Sequence, residues 1–184
     1  MAVGILALIV IGLVMTQLTL SPMRMFKLYQ LHKSIGITVL LAAVLRLAWR
    51  LTNSPPPLPS DMPVAEQRAA AGTHLLLYAF LFGLPLTGWA LVSASVFNIP
   101  TVLYGLVPWP HLPFLPDLAN KASVEAVLKR VHAYGAWCLI ALLVLHVGAS
   151  LRHHFLLGDT VLTRMLPRLP GRRSVRITHD RIIP

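Results

Sequence analysis

The sequence predicts an all-α fold, an integral membrane bundle of four helices. Three observations carry that prediction. Hydrophobic residues make up 56% of the 184-residue chain and charged residues only 12%, with a mean hydropathy of +0.70. A soluble domain carries about a quarter charged residues, so this chain has too little polar surface to cover itself in water. Four apolar stretches approach or exceed the roughly 20 residues that a bilayer crossing takes. Proline-rich and charged segments separate them. One domain spanning residues 1–184 is the natural expectation at this length.

The first stretch covers about 1–20, with no charge before Arg24. It lacks the basic start and small-residue cleavage site of a signal peptide, so it reads as a retained span. The second covers about 31–51 and carries Arg46 and Arg50 near its end. The third covers about 69–96. Pro85 inside it should kink the helix, which is tolerable where neighbours cover the freed carbonyl. The fourth covers about 129–155, with a charge-free core over 131–151. The connector 52–68 contains Pro55-Pro56-Pro57. The connector 97–128 contains Pro100, Pro108, Pro110, Pro113 and Pro116, which argue against a long helix there.

The formal net charge of +10 raises nucleic-acid binding as an alternative. The basic residues form no face in the middle of the chain, and no nucleic-acid partner is expected. Arg152, Arg164, Arg168, Arg172, Arg173, Arg176 and Arg181 instead make a basic C-terminal tail, 156–184, with the helix end before it. Such a tail marks the cytoplasmic side of a membrane protein and suits anionic lipid headgroups. Four spans place both termini on one side. With the tail inside, Arg46, Arg50 and Arg68 join it, leaving Arg24, Lys27, Lys33, Lys121, Lys129 and Arg130 outside. That bias predicts a bacterial inner-membrane protein with both termini cytoplasmic. The single cysteine, Cys138, excludes a disulfide within the chain and reads as a small buried core residue.

Histidines inside apolar helices are rare and costly, so each is a functional candidate. His32 opens the second span, and His74 lies near the start of the third. His132 and His146 bracket the fourth, and His153 and His154 follow at its end. His111 and His179 read as solvated surface groups. His132 and His146 are fourteen residues apart. Fourteen steps of 100° come within about 40° of whole turns, so both point to one face, roughly 21 Å apart along the axis. One helix thus offers an imidazole at each of two depths, an arrangement that suits two haems stacked across a bilayer, since haem iron in electron-transfer proteins commonly takes two axial side chains. His32 matches His132 in depth and is its expected partner. Gly36 and Gly135, close after these histidines, suit close packing around a large planar cofactor. The competing reading of any one such histidine is hydrogen-bonding glue or a proton relay.

Several segments, in order and at these spacings, resemble the bacterial dihaem cytochrome b561 proteins across nearly the whole chain. They are Leu31-His32-Lys33-Ser34-Ile35-Gly36 and Leu45-Arg46-Leu47-Ala48-Trp49-Arg50, then His74-Leu75-Leu76-Leu77-Tyr78 and Leu84-Pro85-Leu86-Thr87-Gly88. Val131-His132-Ala133-Tyr134-Gly135 and Leu145-His146-Val147-Gly148-Ala149 follow. After them come His153-His154-Phe155 and Gly158-Asp159-Thr160-Val161-Leu162-Thr163-Arg164-Met165. The resemblance implies four helices, two b-type haems and electron transfer through the inner membrane. By analogy His32 and His132 hold the outer haem, and His146 is one ligand of the inner haem. The cofactor-binding set expected here is His32, His132, His146, His74, His153 and Arg46, with His32, His132 and His146 as the iron ligands. The family's other inner ligand is a histidine near the start of the first span, whereas this sequence has none before His32. The expectation is a natural chain that begins upstream, with that histidine within roughly one turn of Met1. Without it, His74 becomes the candidate.

The leading functional expectation is electron transfer between a donor or acceptor at the outer face and membrane ubiquinone. Some members of the family resemble superoxide oxidases, and Lys33, Lys129 and Arg130 beside the outer histidines could steer an anionic radical or be ordinary solvated flanks. Arg152, His153 and His154 are candidates for a quinone pocket or for headgroup contacts. The alternative is a non-catalytic haem-bearing anchor subunit docked to a dehydrogenase or hydrogenase as its redox partner protein. A haem-free transporter is disfavoured because the spans lack acidic residues.

Overall fold

In the computed structural model, residues 1–53, 63–156 and 158 are described. They form α1 (Ala2–Gln17), α2 (Pro22–Thr52), α3 (Val64–Ser93), the strands β1 (Thr101–Leu103) and β2 (Val107–Trp109), a 3₁₀ turn (Leu115–Asp117) and α4 (Lys121–Phe155). The run Pro55-Pro56-Pro57 and nearly all of the basic tail lie outside the described residues. The chain divides into two compact units, Met1–Val144 and Leu145–Pro184, with α4 passing through the boundary.

The architecture is all-α apart from one hairpin, and α2, α3 and α4 are each long and apolar enough to cross a membrane. α1 is a shorter apolar helix of 16 residues, about 24 Å by its rise against a hydrocarbon core of about 30 Å. It stops at Gln17 rather than near residue 20. The chain is extended at Leu18 and Ser21, and Pro22 disfavours helical backbone at the residue before it. Pro22 then opens α2 at a first-turn position where its missing N–H costs nothing.

The helices differ in length from the apolar stretches. α2 begins at Pro22 instead of about 31, α3 at Val64 instead of about 69, and α4 at Lys121 instead of about 129. α3 ends at Ser93, short of 96. Helical hydrogen bonding continues through charged residues that hydropathy assigns to connectors. α2, with 31 residues, is about 46 Å long and overhangs the hydrocarbon layer, so Arg24 and Lys27 sit on its first turns.

Among the described residues few apolar side chains are buried. None of the apolar window of α3 is buried, and Leu45 and Leu75 are more than 70% exposed. Lipid covers such a surface as well as protein does. For the same reason Cys138 is exposed rather than part of a core. α2 packs against both α1 and α3, and its buried residues Ser34, Ile37, Val39, Leu40 and Ala43 form the centre of the first unit. α1 approaches closely at Gly4, where an added methyl would lie 3.0 Å from Val39 Cγ2.

Up to α4 the segment after α3 carries no long helix, as its prolines implied, but a short hairpin and a 3₁₀ turn. β1 and β2 pair antiparallel, Thr101 opposite Trp109. Tyr104 and Gly105 both have positive φ at the turn between them, a combination that matches the twist of a tight hairpin. Tyr104 is strained there, and two of its own contacts with α2 and one at Pro100 hold the hairpin. Its N–H donates to Ser34 Oγ at 2.9 Å, its hydroxyl meets Thr38 Oγ1 at 2.7 Å, and Gln30 Nε2 donates to the Pro100 carbonyl at 2.9 Å. Gln30, Ser34 and Thr38 recur every four residues and so line one face of α2.

Ser34 and Ser93 pin the connector by the same device. Both are fully buried. Ser34 donates to the Gln30 carbonyl at 2.7 Å and accepts from Tyr104 N–H. Ser93 donates to the Trp89 carbonyl at 2.8 Å and accepts from Leu112 N–H at 2.9 Å. Each hydroxyl thus spends its proton on its own helix and its lone pair on the loop. Trp89 adds an indole N–H to the Pro110 carbonyl at 2.9 Å.

Candidate functional site

His32 and His132 meet inside the first unit. Their rings lie 6.3 Å apart, centroid to centroid, with planes at 76°. Both histidines sit about three turns into their helices, the matched depth that their positions predicted. On α2, His32 lies nearly opposite the Gln30–Ser34–Thr38 face that the hairpin covers. The loop therefore occupies one side of α2 and leaves the other side to the histidine pair.

All four helices contribute to the seat of these rings. An added methyl at Gly12 of α1 would lie 3.7 Å from His32 Cε1, so that ring rests against α1. An added methyl at Gly88 of α3 would lie 3.1 Å from His132 Cε1, too close to be accommodated without movement. Gly135, one turn after His132, brings α4 against Leu84 of α3, with only 3.0 Å available to a methyl. At Gly36 no protein atom lies within 4 Å of a methyl built there.

The two rings are held unequally. His132 Nδ1 is 3.1 Å from Thr87 Oγ1. His32 Nδ1 is buried without a hydrogen-bond partner and shares that state, among the described residues, only with Trp109 Nε1. A buried nitrogen without a partner is uncommon and calls for a reason.

The separation of the pair fits two axial ligands of one iron. Imidazoles that ligate a metal from opposite sides at about 2 Å each, with each nitrogen about 1 Å from its ring centre, have centroids roughly 6 Å apart. Among the described residues no group of three or more His, Cys, Asp or Glu side chains could hold a bare metal ion. A porphyrin supplies its own equatorial nitrogens, so two imidazoles are what the protein must add.

The other expected site residues fall elsewhere. Arg46 is exposed, reaches Tyr78 with an Nε–OH distance of 3.3 Å and lies 6.0 Å from the Tyr78 ring centre. Arg50 approaches the same ring at 5.6 Å. His74, exposed, is one turn before Tyr78 on α3. In the second unit His146, His153 and His154 are half-buried, and the His154 ring meets Phe155 at 4.9 Å. Lys33 is not a free flanking charge: its ammonium donates to the Pro100 carbonyl at 3.3 Å. Lys129 and Arg130 are exposed. Thr87, Gly88 and Gly12 were not singled out by sequence. The relation of the run Pro85-Leu86-Thr87-Gly88 to His132 depends on which face of α3 meets α4.

Comparison with known proteins places this arrangement. Residues 1–168 match the family model for prokaryotic cytochrome b561. Cytochrome b561 homolog 2 of Escherichia coli K12 is 35% identical over 166 residues, which cover 90% of this chain and 84% of that protein. Cytochrome b561 homolog 1 of the same strain is 30% identical over 74% of this chain and 73% of its own length. A probable superoxide oxidase CybB of Yersinia pestis is 29% identical over 77% and 76%.

Proposed function

This chain belongs to the prokaryotic cytochrome b561 family, and from that premise we propose that His32 and His132 are the axial ligands of a b-type haem that passes electrons between superoxide and membrane quinone. Membership makes the chain a membrane electron-transfer protein with b-type haem. The observation that carries the ligand assignment is the 6.3 Å spacing of the two imidazoles. The haem supplies a one-electron iron couple. The apolar helices would surround that couple, and such surroundings tune a haem's potential.

Superoxide as the donor rests on charge and on likeness. Arg24 and Lys27 on the first turns of α2, with Lys129 and Arg130 just before His132, put positive charge at the end of the bundle that carries the pair. Glu125, an acid of that region, is occupied by Val96 N–H at 2.8 Å and Ser95 Oγ at 3.3 Å. Such a field raises the encounter rate of a small anion. A relative described as a probable superoxide oxidase supports the same donor. His146, on the helix that carries His132, is proposed as a ligand of a second haem, and both termini are proposed to face the cytoplasm.

Purified protein in proteoliposomes containing ubiquinone tests the reading. Superoxide should reduce the haem and then the quinone, and raising the ionic strength should slow the first step. Haem that superoxide does not reduce would remove the donor assignment. A haem-to-protein ratio of two supports the second site, and a ratio of one removes it. A C-terminal fluorescent fusion should be bright and a C-terminal alkaline phosphatase fusion inactive; the opposite pattern would invert the orientation.

A further inference from the structure

Three hydroxyls inside the spans share one geometry. Ser34 and Ser93 each donate to a carbonyl of their own helix and accept from a backbone N–H of the connector. There the assignment is forced, because a backbone N–H can only donate. Thr87 has the same pair of contacts. Its Oγ1 lies 2.9 Å from the Leu84 carbonyl and 3.1 Å from His132 Nδ1. A threonine hydroxyl has one proton. Were that proton given to the imidazole, two oxygen acceptors would face each other at 2.9 Å with nothing between them. The proton belongs on the Leu84 carbonyl, and the Thr87 lone pair accepts from His132 Nδ1–H, with the Leu84 carbonyl a second acceptor facing the ring.

We propose that Thr87 is the positioning residue of His132: it holds the ring in the Nδ1–H tautomer, leaves the Nε2 lone pair for iron and makes His132 the stronger of two unequal axial ligands. This rests on the ligand reading above. A metal-bound histidine usually donates its second ring N–H to an acceptor, which fixes its orientation and raises its basicity. Thr87 supplies that acceptor to His132, whereas His32 Nδ1 has none. Gly88, the next residue, clears the space that the ring occupies. The stronger donor favours ferric over ferrous iron, so Thr87 holds the potential of this haem down.

The test compares Thr87→Val and Thr87→Ser in the full-length protein, by redox titration and low-temperature electron paramagnetic resonance, with His132→Ala alongside. Valine keeps the shape and removes the acceptor. It should raise the midpoint potential of the haem and alter its low-spin resonance; a tenfold loss of ferric preference is about 59 mV for one electron. Serine should restore both values. A valine variant that has lost its haem still supports the proposal if the serine variant keeps haem at the original potential. Loss in both variants overturns it, as does a valine variant with unchanged potential and resonance. If His132→Ala keeps full haem and an unchanged spectrum, the ligand reading falls and the Thr87 inference falls with it. If His132→Ala loses haem while valine changes nothing, only the Thr87 inference falls.

Discussion

The two ends of the α2–α3 pair are built differently. At the hairpin end, α2 and α3 carry buried serines with both hydrogen-bonding capacities used, a loop pinned to each, and the histidine pair within the bundle. At the opposite end, Arg46 and Arg50 gather over the half-buried ring of Tyr78, with a single 3.3 Å hydrogen bond from Arg46 to its hydroxyl. One end is organised by directional bonds between residues far apart in sequence. The other is organised by charge near an aromatic ring, an interaction tolerant of movement and worth roughly 0.5–1 kcal/mol where exposed. An imidazole that must meet iron within a fraction of an ångström needs the first kind of support. A helix end among lipid headgroups needs only the second.

The largest break in this contrast comes from the histidines. His32→Ala or His132→Ala should abolish the haem at the hairpin end and leave at most one per chain, read from the pyridine haemochrome ratio. A full complement in either variant would contradict the assignment. Gly88→Ala comes next. Its methyl would press on His132 Cε1 at 3.1 Å, and haem retention should fall about tenfold, the lower range for disturbing a ligand's support. Gly36→Ala, where no atom stands within 4 Å, should retain haem like the unmodified protein, so equal losses in both would deny Gly88 any special role.

Ser34→Ala sharpens the comparison further. It leaves Tyr104 N–H without its acceptor, which costs about 1 kcal/mol. The Tyr104 amide should then exchange hydrogen roughly five times faster, while amides around Tyr78 keep their rates. Faster exchange throughout α2 would mean that Ser34 supports the helix rather than the hairpin. The smallest effect is expected at the other end. Tyr78→Leu removes the ring beneath both arginines and should lower stability by at most about 1 kcal/mol, with the haem spectrum unchanged. Tyr78→Phe keeps the ring and should cost less still. A spectral change in either would tie that end to the cofactor.

Much of the site was legible in the sequence. Apolar composition and run length foretold a helical membrane bundle, because a bilayer admits only segments that satisfy their own backbone and expose apolar side chains. His32 and His132 could be paired from depth alone, since rise per residue converts sequence position into height. Helix ends were less legible. Hydropathy records where the hydrocarbon stops, whereas α2 and α4 go on hydrogen-bonding through Arg24, Lys27 and Lys129 beyond it. The hairpin was hidden behind prolines, and its positive-φ Tyr104 is tolerable only because α2 holds it.

What the sequence determined by itself was therefore the solvent, the helical class and the matched height of His32 and His132, all of which follow from local composition and a fixed helical repeat. The tertiary structure alone decided which groups those helices turn toward one another. Thr87 is an unremarked hydroxyl until α3 places it 3.1 Å from a ring 45 residues away, and Ser34 until Tyr104 arrives from 70 residues away. Hydropathy is an average over many side chains and survives any rotation of a helix. A hydrogen bond is lost within an ångström, so only the packed bundle could specify it.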